Sequence, residues 1–376
     1  MLGDGHGGLP PTRPRDLAAE LIHSSSEMAS QLAALLLVCV LVSDTHAIVA
    51  QFTAPNRRSD GAVMMAKAKS KAKKPAKPKS AGGGFGSSKG FGGAAPKAVA
   101  IPSLELNTGA AIPSLAFGTY KCPPGDELAA ALECAIAAGY RHFDTARAYQ
   151  NEATIGAAIA NSGLPREDFF ITTKLWASDH GTDNTNLAID QSLEALQTDY
   201  IDLLLLHGPD NGGSSAEEKI ELRQQSWVAM EARTEARAIG VSNFEQRHIE
   251  SVLSCGSVTP AVNQIECHAQ LAQIELRSYC AINGILIAAY GSVGAKGLRA
   301  DPAVQAIAKA HKRTPAQVSL RYSLQRGGVA LTKSVTPKRI VENAQLFEFE
   351  LNADEVSAME ALDSGTRSYW DNSGVP

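Results

Sequence analysis

From about residue 104 onward, short apolar runs rich in β-forming residues recur at intervals of roughly 25 to 45 residues. They are Leu115–Thr119, His142–Thr145, Phe170–Lys174, Ile201–His207, Ala238–Ser242, Ala261–Ile265, Leu286–Tyr290 and Val329–Lys333. Helical patterns fill the gaps. Leu128, Leu132 and Ile136 recur at every fourth position, with Asp126 placed to cap the start and Gly139 to stop the helix. Ile189, Leu193 and Leu196 repeat that spacing before the fourth run. Thr314-Pro315 and Thr336-Pro337 each set a hydroxyl ahead of a proline, the order expected where a helix begins. Eight such alternations predict an α/β fold, a parallel (β/α)8 TIM barrel over residues 101–376. A doubly wound sheet is the alternative, but it would carry Gly-x-Gly-x-x-Gly after its first strand, and the chain has no such motif there. The segment 104–112, centred on Asn107-Thr108-Gly109, predicts an N-terminal β-hairpin across the barrel bottom.

The first hundred residues break this rhythm. Leu32–Val42 is apolar throughout and matches a signal-peptide core, well short of the ~20 residues that span a bilayer. Residues 1–51 therefore read as a signal-peptide-like segment. Residues 52–100 are basic and Gly-rich with no hydrophobic periodicity, and are expected to be a disordered transit or linker segment. Charge sharpens the division. The formal net charge is -4, yet residues 52–97 carry eleven Lys and Arg against one Asp, leaving residues 98–376 strongly acidic. A signal core followed by a basic, acid-poor segment resembles bipartite plastid presequences, with Phe52 where an aromatic usually follows the first cleavage. Plastid import is the expectation, with secretion or cytoplasmic residence as alternatives. Lys67–Lys79 also suits a nucleic-acid tail, but no aromatic residue interleaves with these lysines to stack on bases, so no nucleic-acid partner is expected. Neither is stable membrane insertion. Six cysteines without a Cys-x-x-Cys pair point to reduced thiols, mostly in the core.

In a (β/α)8 barrel the chemistry gathers at the carboxyl ends of the strands. Asp144, Lys174 and His207 stand at such ends, and Tyr149 follows Asp144 by five residues. Taken singly, each has an ordinary explanation: a strand-end cap, a solvated lysine, packing, a satisfied core histidine. Together they make a coherent acid. A free phenol has a pKa of about 10. A neighbouring ammonium stabilises the phenolate and is expected to lower that value. A carboxylate keeps the ammonium charged, and the histidine hydrogen-bonds the oxygen that receives the proton. Clustered His or carboxylate ligands of a metal-dependent hydrolase are not apparent, since His142, His207 and His268 are not arranged that way.

The segments Gly139–Glu152, Ile171–Trp176, Asp202–His207, Ile239–Phe244, Val262–His268 and Lys333–Arg339 resemble, in order, the motifs of the aldo-keto reductases, and the resemblance runs from about 104 to 363. It implies NADP-dependent reduction of aldehydes or ketones to alcohols by hydride transfer. Tyr149 would be the general acid, Lys174 and Asp144 would tune it, and His207 would orient the carbonyl. NADP(H) would lie extended across the barrel mouth. Gly118, Thr119 and Tyr120 belong to that cofactor set. Ser242, Asn243 and Gln264 match the residues that bond the carboxamide, and Tyr290 matches the one that stacks on the nicotinamide. Glu342 and Asn343 match the adenine contacts. The 2′-phosphate has a physical argument as well: Lys333, Ser334, Thr336 and Arg339 place two cations at a helix start, a site for a dianion. The expected partner is a small carbonyl substrate, bound by a monomer. A barrel that binds NADP(H) for regulation, with weak catalysis, is the competing reading.

Four departures bear on that reading. Gly208 follows His207 where relatives often carry a pocket-walling Trp, so a wider or less aromatic substrate pocket is expected, lined by Tyr120, Trp176, Gly208 and Trp370, with Tyr369 as a further candidate. Thr332 replaces a common Pro and is expected to matter little. The stretch from Tyr290 to Asp301 is short, which argues against a long loop clamping the cofactor. Between Trp227 and Ile239 the chain lacks a Gly turn, so the following strand, and with it Ser242 and Asn243, stands to be displaced.

Overall fold

The computed structural model of the chain describes residues 98–295 and 297–376; the signal-like segment 1–51 and nearly all of the basic segment 52–100 lie outside them. A two-stranded antiparallel hairpin, β1 (Ser103–Glu105) and β2 (Ala111–Pro113), precedes eight strands that close into a barrel. These are β3 (Leu115–Gly118), β4 (His142–Asp144), β5 (Phe170–Leu175), β6 (Leu203–Leu206), β7 (Ile239–Ser242), β8 (Val262–Glu266), β9 (Leu286–Tyr290) and β10 (Val329–Thr332). Every neighbouring pair is parallel, and β10 pairs with β3 to shut the cylinder. Each of the eight apolar runs supplies one strand. The helices that alternate with them are α1 (Asp126–Ala138), α2 (Glu152–Asn161), α3 (Thr182–Leu196), α4 (Ala216–Glu231), α5 (Gln246–Leu253), α6 (Ile274–Ile282), α7 (Pro302–His311), α8 (Pro315–Gln325) and α9 (Pro337–Ala344), followed by α10 (Ala353–Glu360). Among the described residues no helix is long and apolar enough to cross a membrane.

Strand parity explains the near-continuous apolar runs, because both faces of each strand are buried. In β6, Leu204 and Leu206 join the layer between barrel and helices, while Leu203 and Leu205 join the cluster inside the barrel. Burying one such leucine is worth about 1.5–3 kcal/mol. The same parity sets the polar groups. Phe143 of β4 and Ile171 and Leu175 of β5 face the helices, so His142, Asp144, Thr172 and Lys174 face the axis. Low on the axis, His142 Nε2 meets Thr172 Oγ1 at 2.8 Å. The hairpin seals the floor: Leu106 and Ile112 pack with Phe170, Val262 and Val329, and Asn107 Nδ2 donates to Pro260 O at 3.1 Å.

Helix ends are only partly as expected. Thr314 caps α8 through a reciprocal box with Gln317. Asp126 is the first residue of α1 and not its cap; Gly125 takes that position. Gly139 ends α1 at φ 105 and lies so close to Val99 that a β-carbon there would collide with its backbone. The segment without a Gly turn is accommodated without displacement. Helix α4 ends on right-handed Ala232, Ala236 N bonds Arg233 O at 3.2 Å, and the Arg233 guanidinium braces the bend on Glu235 at 3.1 Å. Ala238 N then bonds Asp202 O at 3.1 Å, and β7 pairs in register with both neighbours, so Ser242 stays opposite Gln264.

Candidate active site

Asp144 pairs in register with Thr172, two positions before Lys174 on the same face of the next strand, and Lys174 Nζ donates to Asp144 Oδ1 and to Thr145 O, each at 2.7 Å. The Lys174 and Asp144 side chains are 0% and 4% exposed, so neither charge is shared with water. Deleting either partner would strand the other charge at a cost of about 3–5 kcal/mol. Gln264 Nε2, from β8 across the barrel, occupies the second oxygen, Asp144 Oδ2, at 2.7 Å.

Tyr149 is delivered by a single 3-10 turn, Arg147–Tyr149. Arg147 pins that turn to Asp179 at 2.9 Å and to Ala188 O at 3.1 Å. Asn151 ties the neighbouring loops together: it accepts from Thr145 Oγ1 at 2.6 Å and donates to Thr119 O and Cys122 O. The sequence reading gave Asn151 no role. The Tyr149 hydroxyl meets His207 Nε2 at 3.3 Å, and Lys174 Nζ lies 5.1 Å from the centre of the phenol ring. All four strand-end groups thus converge at one mouth of the barrel.

The electrostatics differ from the expected lowering. Burial, joined by the negative charge of Asp144, holds the Tyr149 phenol well above its ordinary range. Burial also pushes the Lys174 ammonium down, against the pull of Asp144. Burial, helped by the charge of Lys174, holds His207 well below 6.5, so its ring is neutral near pH 7. Among the described residues His207 Nδ1 has no hydrogen-bond partner, so we assign the ring proton to Nε2, toward Tyr149.

Around this cluster opens a cleft of about 210 Å³, lined by Gly118, Tyr120, Lys121, Asp144, Tyr149, His207, Ser242, Asn243, Gln264, Tyr290, Gly291, Leu331, Thr332, Lys333, Tyr369 and Trp370. A second cavity of about 490 Å³ is lined by Lys333, Ser334, Thr336, Arg339, Glu342 and Asn343 among others. Lys333 borders both. Thr119 lines neither and is fully buried, its hydroxyl given to Asp144 O at 2.9 Å. Thr336 precedes α9, but its hydroxyl caps nothing, so the first-turn N–H groups there keep no side-chain acceptor from it. Thr332 does matter: its Oγ1 accepts from Asn343 Nδ2 at 2.7 Å. Ser242, Asn243 and Tyr290 form one chain, in which Tyr290 Oη donates to Asn243 Oδ1 at 2.7 Å and Asn243 Nδ2 donates to His207 O and Ser242 Oγ.

The pocket beside Gly208 is aromatic, contrary to expectation. Trp370 lies over Gly208, with its ring centre 5.1 Å from His207 and 5.8 Å from Trp176. Tyr120 packs on Tyr149 at 5.2 Å. The sequence reading missed Lys121, Gly291, Leu331 and Thr332 as lining residues; their place beside motif residues was the available signal. Among the described residues no group of His, Cys, Asp and Glu is arranged to hold a metal ion.

Comparison with known proteins agrees with this geometry. The model of the Aldo/keto reductase family matches residues 114–364. An aldo-keto reductase of Mycolicibacterium smegmatis is 41% identical over 266 residues, covering 71% of this chain and 95% of that protein. The glyoxal reductase of Bacillus subtilis is 38% identical, covering 70% and 94%. The crystal structure of an aldo/keto reductase from Brucella melitensis aligns with a TM-score of 0.65 at 40% identity, covering 70% of this chain and 100% of that one. With a closed parallel barrel, a tyrosine–histidine–lysine–aspartate cluster at its mouth and a match through most of the barrel, the chain belongs to the aldo/keto reductase family.

Proposed function

We propose that the protein is an oxidoreductase that reduces aldehydes or ketones to alcohols with NADPH, Tyr149 being the proton donor. The observation that carries this reading is the convergence of Tyr149, His207 and the buried Lys174–Asp144 pair at a cleft bordered by Lys333, which also lines the cavity of Arg339.

The residues fit the coenzyme. The dinucleotide's two ends would lie in the two cavities that share Lys333 as a lining residue. Lys333 and Arg339 are exposed cations at the start of α9, suited to a phosphate dianion. Ser242, Asn243 and Gln264 would hold the carboxamide, and Tyr290 would face the nicotinamide. When bound, NADPH supplies the hydride that reaches the carbonyl carbon. The chain supplies the rest. His207 Nε2 lies 3.3 Å from the Tyr149 hydroxyl, so the two would donate together to a carbonyl oxygen seated between them. The raised phenol holds its proton throughout the neutral range and releases it to the more basic alkoxide as that forms. Lys174 then stabilises the resulting phenolate, and Asp144 keeps Lys174 charged and placed.

The similarity to a glyoxal reductase and the modest cleft favour short, reactive aldehydes as substrates. Two sequence features favour a regulatory barrel, and both lose force here: Trp370 walls the pocket at Gly208, and β7 keeps its register. We further propose a monomer, which rests on the family resemblance, and import into a plastid, on the strength of residues 1–97 of the sequence alone; the mass of the mature protein in solution, and fluorescence of the 1–97 segment fused to a reporter, test these two points. For the activity, NADPH binding is titrated by fluorescence and NADPH loss is followed with short aldehydes and dicarbonyls. Turnover of at least one is expected. Binding without turnover of any would sink the substrate assignment, and no NADPH binding would sink the whole proposal.

A further inference from the structure

Strand β8 ends on Glu266, whose side chain is 1% exposed. Nothing in the chemistry above uses this carboxylate, yet its bonds are fully committed. Ser368 N donates to Oε1 at 2.8 Å and to Oε2 at 3.1 Å, Tyr369 N donates to Oε2 at 3.2 Å, and His268 Nε2 meets Oε1 at 3.1 Å. A buried charge held by two successive backbone N–H groups is a strong and directional hook. The same segment is fastened again further on. Arg247 Nη2 donates to Asn372 O, Ser373 O and Val375 O, and Asn372 Nδ2 donates to Asn243 O at 2.9 Å. His248 Nδ1 accepts from Glu245 N, which leaves Nε2 to donate to Val375 O at 2.8 Å.

Between the two fastenings lie Tyr369 and Trp370. Tyr369 stands edge-on to Tyr290 at 5.4 Å and comes within 3.4 Å of where a β-carbon on Gly291 would sit. Gly291 is left-handed at φ 66, a backbone conformation that favours glycine at this turn. Trp370 covers the substrate side. The stretch after β9 folds back in tight turns, with Gly294 N on Gly291 O at 2.7 Å and Ala300 N on Gly297 O at 2.8 Å, and makes no long arm.

We infer that residues 368–375 form a strap that retains the nicotinamide end of the coenzyme, and that Glu266 is the positioning residue that fixes it. This rests on the coenzyme reading above. The test measures NADPH release by stopped-flow fluorescence from the intact chain, from Glu266→Ala, from a chain lacking residues 368–376, and from the two changes combined, with circular dichroism as a check of folding. Release is expected to quicken about tenfold or more in each single variant, and Glu266→Ala is expected to add nothing once the strap is gone. Unchanged release in the shortened chain overturns the strap. A further change from Glu266→Ala in the shortened chain overturns the role of Glu266. Should Glu266→Ala not fold, Glu266→Gln, which keeps one acceptor oxygen, replaces it, with intermediate release expected and unaltered release counting against the hook. Failure of the intact chain to bind NADPH would instead remove the coenzyme reading itself.

Discussion

Gly208 and Trp370 are complementary: a β-carbon built on the glycine would stand 3.9 Å from Cζ3 of the tryptophan, 162 positions later in the chain. The aromatic wall missing from the His207 loop is supplied by the carboxyl-terminal segment. Gly208→Trp should therefore be damaging alone, because two indoles compete for one space. Trp370→Ala should raise KM for an aromatic aldehyde such as para-nitrobenzaldehyde more than for propanal. The double variant should recover much of the loss. Additive effects in this cycle, read as kcat/KM, would show the two positions to be independent.

Replacing Tyr149 by Phe removes the hydroxyl proposed to deliver the proton beside His207 Nε2. General acid catalysis of this kind contributes about 10²–10⁴-fold. The expected result is a fall in kcat of that order with NADPH affinity unchanged. A variant retaining most of its rate would remove Tyr149 from the chemistry.

Lys333 and Arg339 are proposed to select NADPH over NADH. A hydrogen bond to a charged group is worth about 1.5–3 kcal/mol, so each alanine substitution should lower the NADPH preference by roughly 10- to 100-fold, measured as the ratio of kcat/KM with the two coenzymes. NADH kinetics should barely move. Equal losses with both coenzymes would mean that these cations serve the fold.

Buried histidines make the protein acid-sensitive: three join His207, which is itself held well below 6.5. Burial pushes His142, His180 and His248 down to about 4. Desolvation is the main cause in each case, opposed at His142 by Pro113 O and Asp144 and at His248 by Val375 O. In the unfolded chain these rings take up a proton near pH 6.5, and in the folded chain they resist it. The unfolded state therefore gains protons first as pH falls, so stability is full above about 6.5 and drains away between there and about 4. The limit is about 3 kcal/mol for a fully enclosed ring, as an order of magnitude. Calorimetric melting from pH 8 down to pH 4 should show a progressive fall in Tm that begins below about 6.5; a level profile across that window would contradict the burial of neutral rings.

The barrel was legible because both faces of its strands are apolar, so each strand announced itself as an uninterrupted run, and the inward parity of Asp144 and Lys174 followed from their neighbours. The catalytic cluster was legible because it sits at strand ends. Details decided by contacts far apart in sequence were not. Nothing local marks Glu266 as the hook for Ser368, 102 positions away, or Trp370 as the cover for Gly208. The strand after α4 was expected to shift because a glycine turn is the common solution, but a right-handed end braced by Arg233 serves equally well. The lowered phenol failed for another reason: burial and the nearby charge of Asp144 both push Tyr149 upward.

The hairpin across the barrel floor has a consequence for traffic. With Leu106 and Ile112 stoppering the lower end, the described residues leave the mouth beside Tyr149 as the doorway. Whatever lies deepest in it must arrive first and depart last, so the order of visitors is written into the architecture before any chemistry begins.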